Sequence, residues 1–362
     1  VDSIIIKILS LALFCGATVM TGAESQSGLD AKMNLAWKTL TEELFCEKTG
    51  MIYDSLGSHD HQKRFAHLPF LDEIKAQLPN PMGWGSGMED CMLNAGSAID
   101  ICTIRAQLDP TTRSDCRRFA GGLFGGMKAC ATVHGIKGYV VRGLSPRDGK
   151  SCYIESSRDQ FTLWAFGLWR YYRSGLATDP EKEETRRLLT NLAERCEMRM
   201  TKEYGYSLGR LNGDWSGICR LEQVRPHEMM RLPMFYLVAY DVTGNRHWLE
   251  RYEAIATAAL KASEGFLAER QVFFSDYEVM QMQVSLLPCW TSDPDRERKK
   301  RITTLMNNLA TKAENQFIRH HAPRVYNYAG PWNYVSQPWR MSKQIKVIGA
   351  APDRSALHNN TT

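Results

Sequence analysis

Two kinds of helical segment alternate along this chain, and no other feature limits its possible folds so strongly. Four stretches, 90–106, 159–173, 228–242 and 277–291, are apolar on nearly every side, and a helix of that kind must be covered all round. Five others, 29–48, 112–134, 181–203, 245–264 and 294–319, are amphipathic. In 181–203 the apolar stripe narrows to Leu188, Leu189, Leu192 and Cys196, whereas 112–134 is glycine-rich and less polar. The connections alternate as well. Each apolar segment runs into a short turn, "LDPTT", "ATDPEK", "VTGNR" or "TSDPDR", and a small polar residue before proline is helix-starting chemistry. The charged segments run instead into long, irregular, glycine- and aromatic-rich stretches at 49–88, 135–157, 204–226 and 265–276.

Buried inner helices, exposed outer helices, short turns at one end and long loops at the other predict an all-α fold. The expected architecture is an (α/α)6 toroid of six-hairpin type, two concentric rings of helical hairpins. Stacked helix pairs of an α-solenoid also alternate, but inner helices apolar on all sides and aromatic loops favour the ring. Five outer and four inner segments fall short of six hairpins, and 320–362 reads as one more long loop. The expectation therefore includes a C-terminally truncated toroid or a smaller ring. Its divisions are a signal peptide over 1–23, a toroid catalytic domain over 24–340 and a tail over 341–362.

Charge is balanced, with 45 Lys+Arg against 40 Asp+Glu and no basic tract, which argues against a nucleic-acid partner. Lys7 precedes "ILSLALFCGATVMTGA", which reads as a signal peptide cleaved after Ala23 and is short for a bilayer span. No later segment reads as an integral membrane span, so the expected location is secreted or periplasmic. Nine cysteines follow Cys15 without a C-x-x-C pair. That spacing predicts no structural zinc, and no disulfide is assigned.

The start of every inner helix carries ionisable residues: "GWGSGMED" (Trp84 to Asp90), "YIESSRD" (Tyr153 to Asp159), "RPHE" (Arg225 to Glu228) and "FSDYE" (Phe274 to Glu278). Helix capping explains one such cluster. Four at the same end of a ring predict a shared pocket, with Trp84, Tyr153, Trp164 and Trp332 as its aromatic lining. Paired carboxylates in such a pocket suit glycosidic chemistry: one protonated acid assists the leaving oxygen while a second carboxylate activates water or attacks the anomeric carbon. Asp159 is the expected acid, with Asp90 or Glu89 as its partner. Ser156 or Ser157 is expected to cap the helix that Asp159 opens, leaving Asp159 for chemistry. Arg142, Arg158 and Arg225 suit a sugar carboxylate, and His227, Glu228 and Asp276 complete the expected substrate-binding set.

No metal and no cofactor is expected. His59, His61 and His67 in "SHDHQKRFAH" have no ligand spacing and read as an exposed loop, and "HEMM" at 227 lacks the second histidine of H-E-x-x-H.

The stretches "GMEDCMLNAG" (87–96) and "SSRDQFTLWAFGLWRYY" (156–172), set in alternating hairpins over 29 to about 335, resemble the six-hairpin glycosidase superfamily. The nearest resemblance is to uronic-acid-acting members: the unsaturated glucuronyl and rhamnogalacturonyl hydrolases and the toroid β-glucuronidases. It implies a glycoside hydrolase acting on an oligosaccharide or polysaccharide. In the unsaturated uronyl hydrolases two aspartates at the mouths of early inner helices do the work, one donating a proton and activating water. Asp159 and Asp90 stand in similar places. The run Arg-Asp-Gln-Phe-Thr around Asp159 departs from those enzymes, so the expectation stops at a uronic-acid-active glycosidase. The rival readings are a sugar 2-epimerase using His227 and His134, a polysaccharide lyase using Tyr153, Tyr204 or Tyr277, and a carbohydrate-binding protein without catalysis.

Overall fold

The structure, a computed structural model, describes residues 26–58, 60–268 and 275–316. The expected signal peptide, His59, Trp332 and the 341–362 tail lie outside the described residues. What is described is all-α, apart from a two-stranded antiparallel ribbon pairing β1 (Phe45–Cys46) with β2 (Met51–Ile52). No helix is long and apolar enough to cross a membrane among these residues.

The four apolar segments form α3 (Cys91–Leu108), α5 (Arg158–Arg173), α7 (Arg231–Thr243) and α9 (Ser275–Ser292). The charged segments form α1 (Gln26–Lys38), α4 (Arg113–Thr132), α6 (Asp179–Arg199), α8 (Arg246–Glu264) and α10 (Arg296–Gln316), with a single turn of helix α2 (Leu71–Lys75) between α1 and α3. The first charged segment is shorter than its pattern: α1 stops at Lys38 and Thr39–Leu44 widens into a π turn before β1. The short connections work as their residues predict. Asp109 accepts from the Thr111 N–H at 3.0 Å, Glu181 takes the Thr178 N–H at 2.8 Å, and Asn245 accepts from the His247 N–H at 3.1 Å. Asp295 accepts from the N–H groups of Glu297 and Arg298.

The apolar helices pack on one another in chain order, α3 on α5, α5 on α7 and α7 on α9, with α9 also touching α5. They run parallel, because their starts are joined to starts and their ends to ends. Between α3 and α5 the links are Gln160 to Asp90 near the starts and Arg170 to Asp100 further along. The C-terminal ends of α5, α7 and α9 meet at Asp241, which accepts from the Trp169 indole at 2.9 Å, from Arg173 and from the Ser292 hydroxyl at 2.8 Å. Charged helices cover the outside, α4 against α3, α6 against α5 and α7, α8 against α7 and α10 against α9.

Close approach of α3 and α5 depends on two glycines. A Cβ on Gly96 would lie 2.0 Å from the Leu163 carbonyl oxygen, and one on Gly167 would lie 2.6 Å from the Gly96 Cα. Round α5 Phe161, Leu163, Trp164, Phe166, Leu168 and Trp169 are all buried, and each such side chain contributes about 1.5–3 kcal/mol on leaving water. The nine cysteines among the described residues are free thiols and all but Cys152 are buried, where a thiol behaves as a small apolar group.

Candidate functional site

The parallel inner helices bring their N-termini, and the long loops that feed them, to one end. Three of those loops are knitted together there around Ile154 and Glu155. The Glu155 N–H donates to the Pro81 carbonyl at 2.9 Å, the Leu211 N–H donates to the Ile154 carbonyl at 2.8 Å, and the Glu155 carboxylate takes the Ser216 hydroxyl at 2.6 Å and faces Arg210 at 3.0 Å.

A belt of charged and amide side chains then links the helix starts. At α3, Asp54 accepts from the N–H groups of Glu89 and Asp90 at 2.9 and 3.1 Å. From α5, Gln160 Nε2 donates to Asp90 Oδ1 at 2.8 Å. Arg231, first residue of α7 and almost wholly buried, donates from Nη1 to Asp159 Oδ1 at 2.5 Å and from Nη2 to Gln281 Oε1 of α9 at 2.9 Å. Arg158 donates to Glu228 and, through Nη1, to the carbonyls of Gly217 and Ile218 at 3.1 and 3.0 Å. His227 lies between two carboxylates, its Nε2 3.7 Å from Glu228 and its Nδ1 3.7 Å from Glu278.

The two aspartates at the centre differ in character. Asp90 keeps 44% of its side chain exposed, yet the surrounding protein raises its carboxyl above the usual range. Desolvation is the main cause, opposed by Arg142 and reinforced by the charges of Glu89 and Asp159. Asp159 is 28% exposed and accepts a hydrogen bond from the Arg231 guanidinium. Asp90 is thus the more exposed of the two, and Asp54, which accepts from its N–H, is raised as well by burial and by the charges of Glu89 and Asp90.

Burial pushes the His227 imidazole down to about 4 against the pull of Glu228, with Arg231 and Arg225 adding to the depression, so it is neutral at ordinary pH. In Glu228, burial raises the carboxyl but Arg158 and Arg231 outweigh it, and the net position is below the usual range.

Several expected binding residues are committed elsewhere. Trp164 is 1% exposed and its indole N–H donates to the Met127 carbonyl at 2.9 Å, so it belongs to the core, on the side of α5 facing α4. Arg142 is buried, donates to the Glu89 carbonyl at 2.8 Å and stands 3.8 Å from Asp90. With Arg158 held by Glu228 and backbone carbonyls, neither guanidinium is open to a sugar carboxylate. Glu89 builds a turn, accepting from the N–H groups of Gly85 and Gly87 at 3.0 and 2.9 Å. Neither serine caps α5: Ser157 makes no side-chain cap bond and the Ser156 hydroxyl is buried without a partner. Asp276 lies in the first turn of α9.

Trp84 keeps 48% of its surface exposed on a turn built by Asn80, and Arg225 keeps 63% of its side chain exposed, 3.7 Å from Glu278. Two of the rival bases are engaged elsewhere. His134 spends both ring nitrogens on backbone groups, Cys130 and Ile136, and Tyr153 is buried and donates to the Leu78 carbonyl. His61 sits 3.3 Å from Glu43 and His67 3.2 Å from the Ser55 hydroxyl, and no cluster of metal-ligating side chains occurs among the described residues.

Sequence reasoning passed over Asp54, Gln160, Arg231 and Gln281. A signal for Arg231 was present, since it is the lone charge in "MMRLPMFYLVAY", and a buried arginine needs a partner. No family model, no curated protein and no solved structure matches the chain.

Proposed function

We propose that this chain is an exported glycoside hydrolase built on an (α/α) toroid and acting on oligosaccharides that contain an acidic sugar. The observation that carries the reading is Asp90. Its carboxyl is reachable from solvent, raised by its surroundings, and close enough to Asp159 for that charge to act on it. A protonated carboxyl beside an ionised one is the pair that glycosidic cleavage requires. In this reading Asp90 gives its proton to the glycosidic oxygen as the bond to the anomeric carbon breaks. Asp159 supports attack at that carbon, directly or through water.

Arg225, 63% exposed although 3.7 Å from Glu278, is the arginine that would receive a sugar carboxylate, and exposed Trp84 offers a flat face for a sugar ring. His227, neutral and nearly buried, suits a hydrogen bond to a hydroxyl. Release of reducing ends from uronic-acid oligosaccharides, compared with neutral ones of equal length, tests the proposal. Ultraviolet absorbance of an unsaturated product would point to a lyase instead, and binding without any turnover to a carbohydrate-binding protein.

A further inference from the structure

Asp90 occupies the N-cap position of α3 but makes no side-chain cap bond. Aspartate there ordinarily turns its carboxylate back onto the N–H groups two and three residues on. In this chain those donors, Met92 and Leu93, are taken by Gln160 Oε1 at 3.1 and 3.2 Å, from a different helix. Asp54 takes the two N–H groups just before, those of Glu89 and Asp90. The amide nitrogen of Gln160 then donates to Asp90 Oδ1 at 2.8 Å. Gln160 is itself wholly buried and adjoins Asp159 in the first turn of α5.

We propose that Gln160 is a positioning residue that caps α3 from α5, frees Asp90 from the capping role, and fixes Asp90 in register with Asp159. A single side chain thus ties the two carboxylate-bearing helix starts together. The amide is needed in one orientation, its oxygen toward the Met92 and Leu93 donors and its nitrogen toward the Asp90 acceptor. Leucine or methionine would fill the space and supply neither function. The importance of holding these carboxylates rests on the glycosidase reading above, but the tether can be measured without turnover.

The experiment follows the Asp90 carboxyl by carbon-13 NMR titration, and the Met92 and Leu93 amides by hydrogen exchange, in the wild-type chain and in Gln160→Met and Gln160→Glu. Gln160→Met is expected to raise the Asp90 midpoint by about 1 pH unit, because a hydrogen bond to the ionised form is lost. It also speeds exchange at Met92 and Leu93 by roughly tenfold through loss of a cap. Gln160→Glu keeps acceptor oxygens for those amides, so their protection persists while the Asp90 midpoint still rises. This second variant decides the matter if the first does not fold. An Asp90 midpoint unchanged in every variant that folds would overturn the proposal, as would full amide protection in Gln160→Met. If no substrate is turned over, the glycosidase reading fails while the titration and exchange still judge the tether.

Discussion

Arg231 donates to Asp159 across the α5–α7 boundary at 2.5 Å while exposing only 1% of its own side chain. A guanidinium so deeply placed depends on its acceptors, and removing one partner of a buried pair costs about 3–5 kcal/mol. Asp159→Leu should destabilise the fold by that amount. Asp159→Asn keeps an amide oxygen for Arg231 and should cost only about 1 kcal/mol. Urea unfolding of the two variants checks the difference. Equal losses would mean that Arg231 does not rely on this acceptor.

Asp90 should lower stability as pH rises. Its folded carboxyl holds a proton above the range where the unfolded chain has released it, so the unfolded state binds fewer protons there and stability falls with increasing pH. Asp90→Asn removes that dependence, and its hydrogen bond from Gln160 can be kept by the amide oxygen. Thermal melts from acid to neutral pH should show the variant gaining on the wild type as pH climbs past the ordinary carboxyl range. The gain is at most about 1 kcal/mol, because the half-exposed side chain is partly screened.

His227 acts in the opposite direction. Its imidazole falls from 6.5 to about 4 in the fold through burial, Arg231 and Arg225, against Glu228 and Asp159, and Glu278 faces its other edge. Below pH 6.5 the unfolded chain takes up the proton first, so stability drains away as pH falls toward 4. The contribution is up to about 3 kcal/mol. His227→Gln should flatten that acid limb in chemical denaturation across the same interval.

The α3–α5 crossing offers a test at a close backbone contact. A methyl on Gly96 meets the Leu163 carbonyl, backbone that cannot rotate away. Gly96→Ala should cost about 1–3 kcal/mol by overpacking. By wedging apart the helices that present Asp90 and Asp159, it should also lower turnover by about 10²-fold. Calorimetry and a steady-state assay on the same preparation read both effects.

Helix identity was legible because period and polarity agree along most of the chain. Segments apolar all round became α3, α5, α7 and α9, and proline-containing turns started the next helices as their chemistry requires. The first charged segment misled, since its pattern runs on through the Thr39–Leu44 π turn to β1. On α5 periodicity could not say which way Trp164 points, because every side of that helix is covered. Arg158 and Arg142 looked like open cations, but their partners sit dozens of residues away in sequence, on Glu228, Glu89 and Asp90. Gln160 was hidden for the same reason: its importance lies in two backbone N–H groups of another helix, and nothing local marks it.

The central claim is that Asp90 supplies the proton for glycosidic cleavage with Asp159 as its partner. The most direct measurement is the rate of reducing-end release from a uronic-acid oligosaccharide by the wild-type chain and by Asp90→Asn, each first shown to be folded by its melting profile. The account predicts measurable release by the wild type and a rate in Asp90→Asn lower by about 10²–10⁴-fold, the usual contribution of a positioned acid. Undiminished release by folded Asp90→Asn would contradict it.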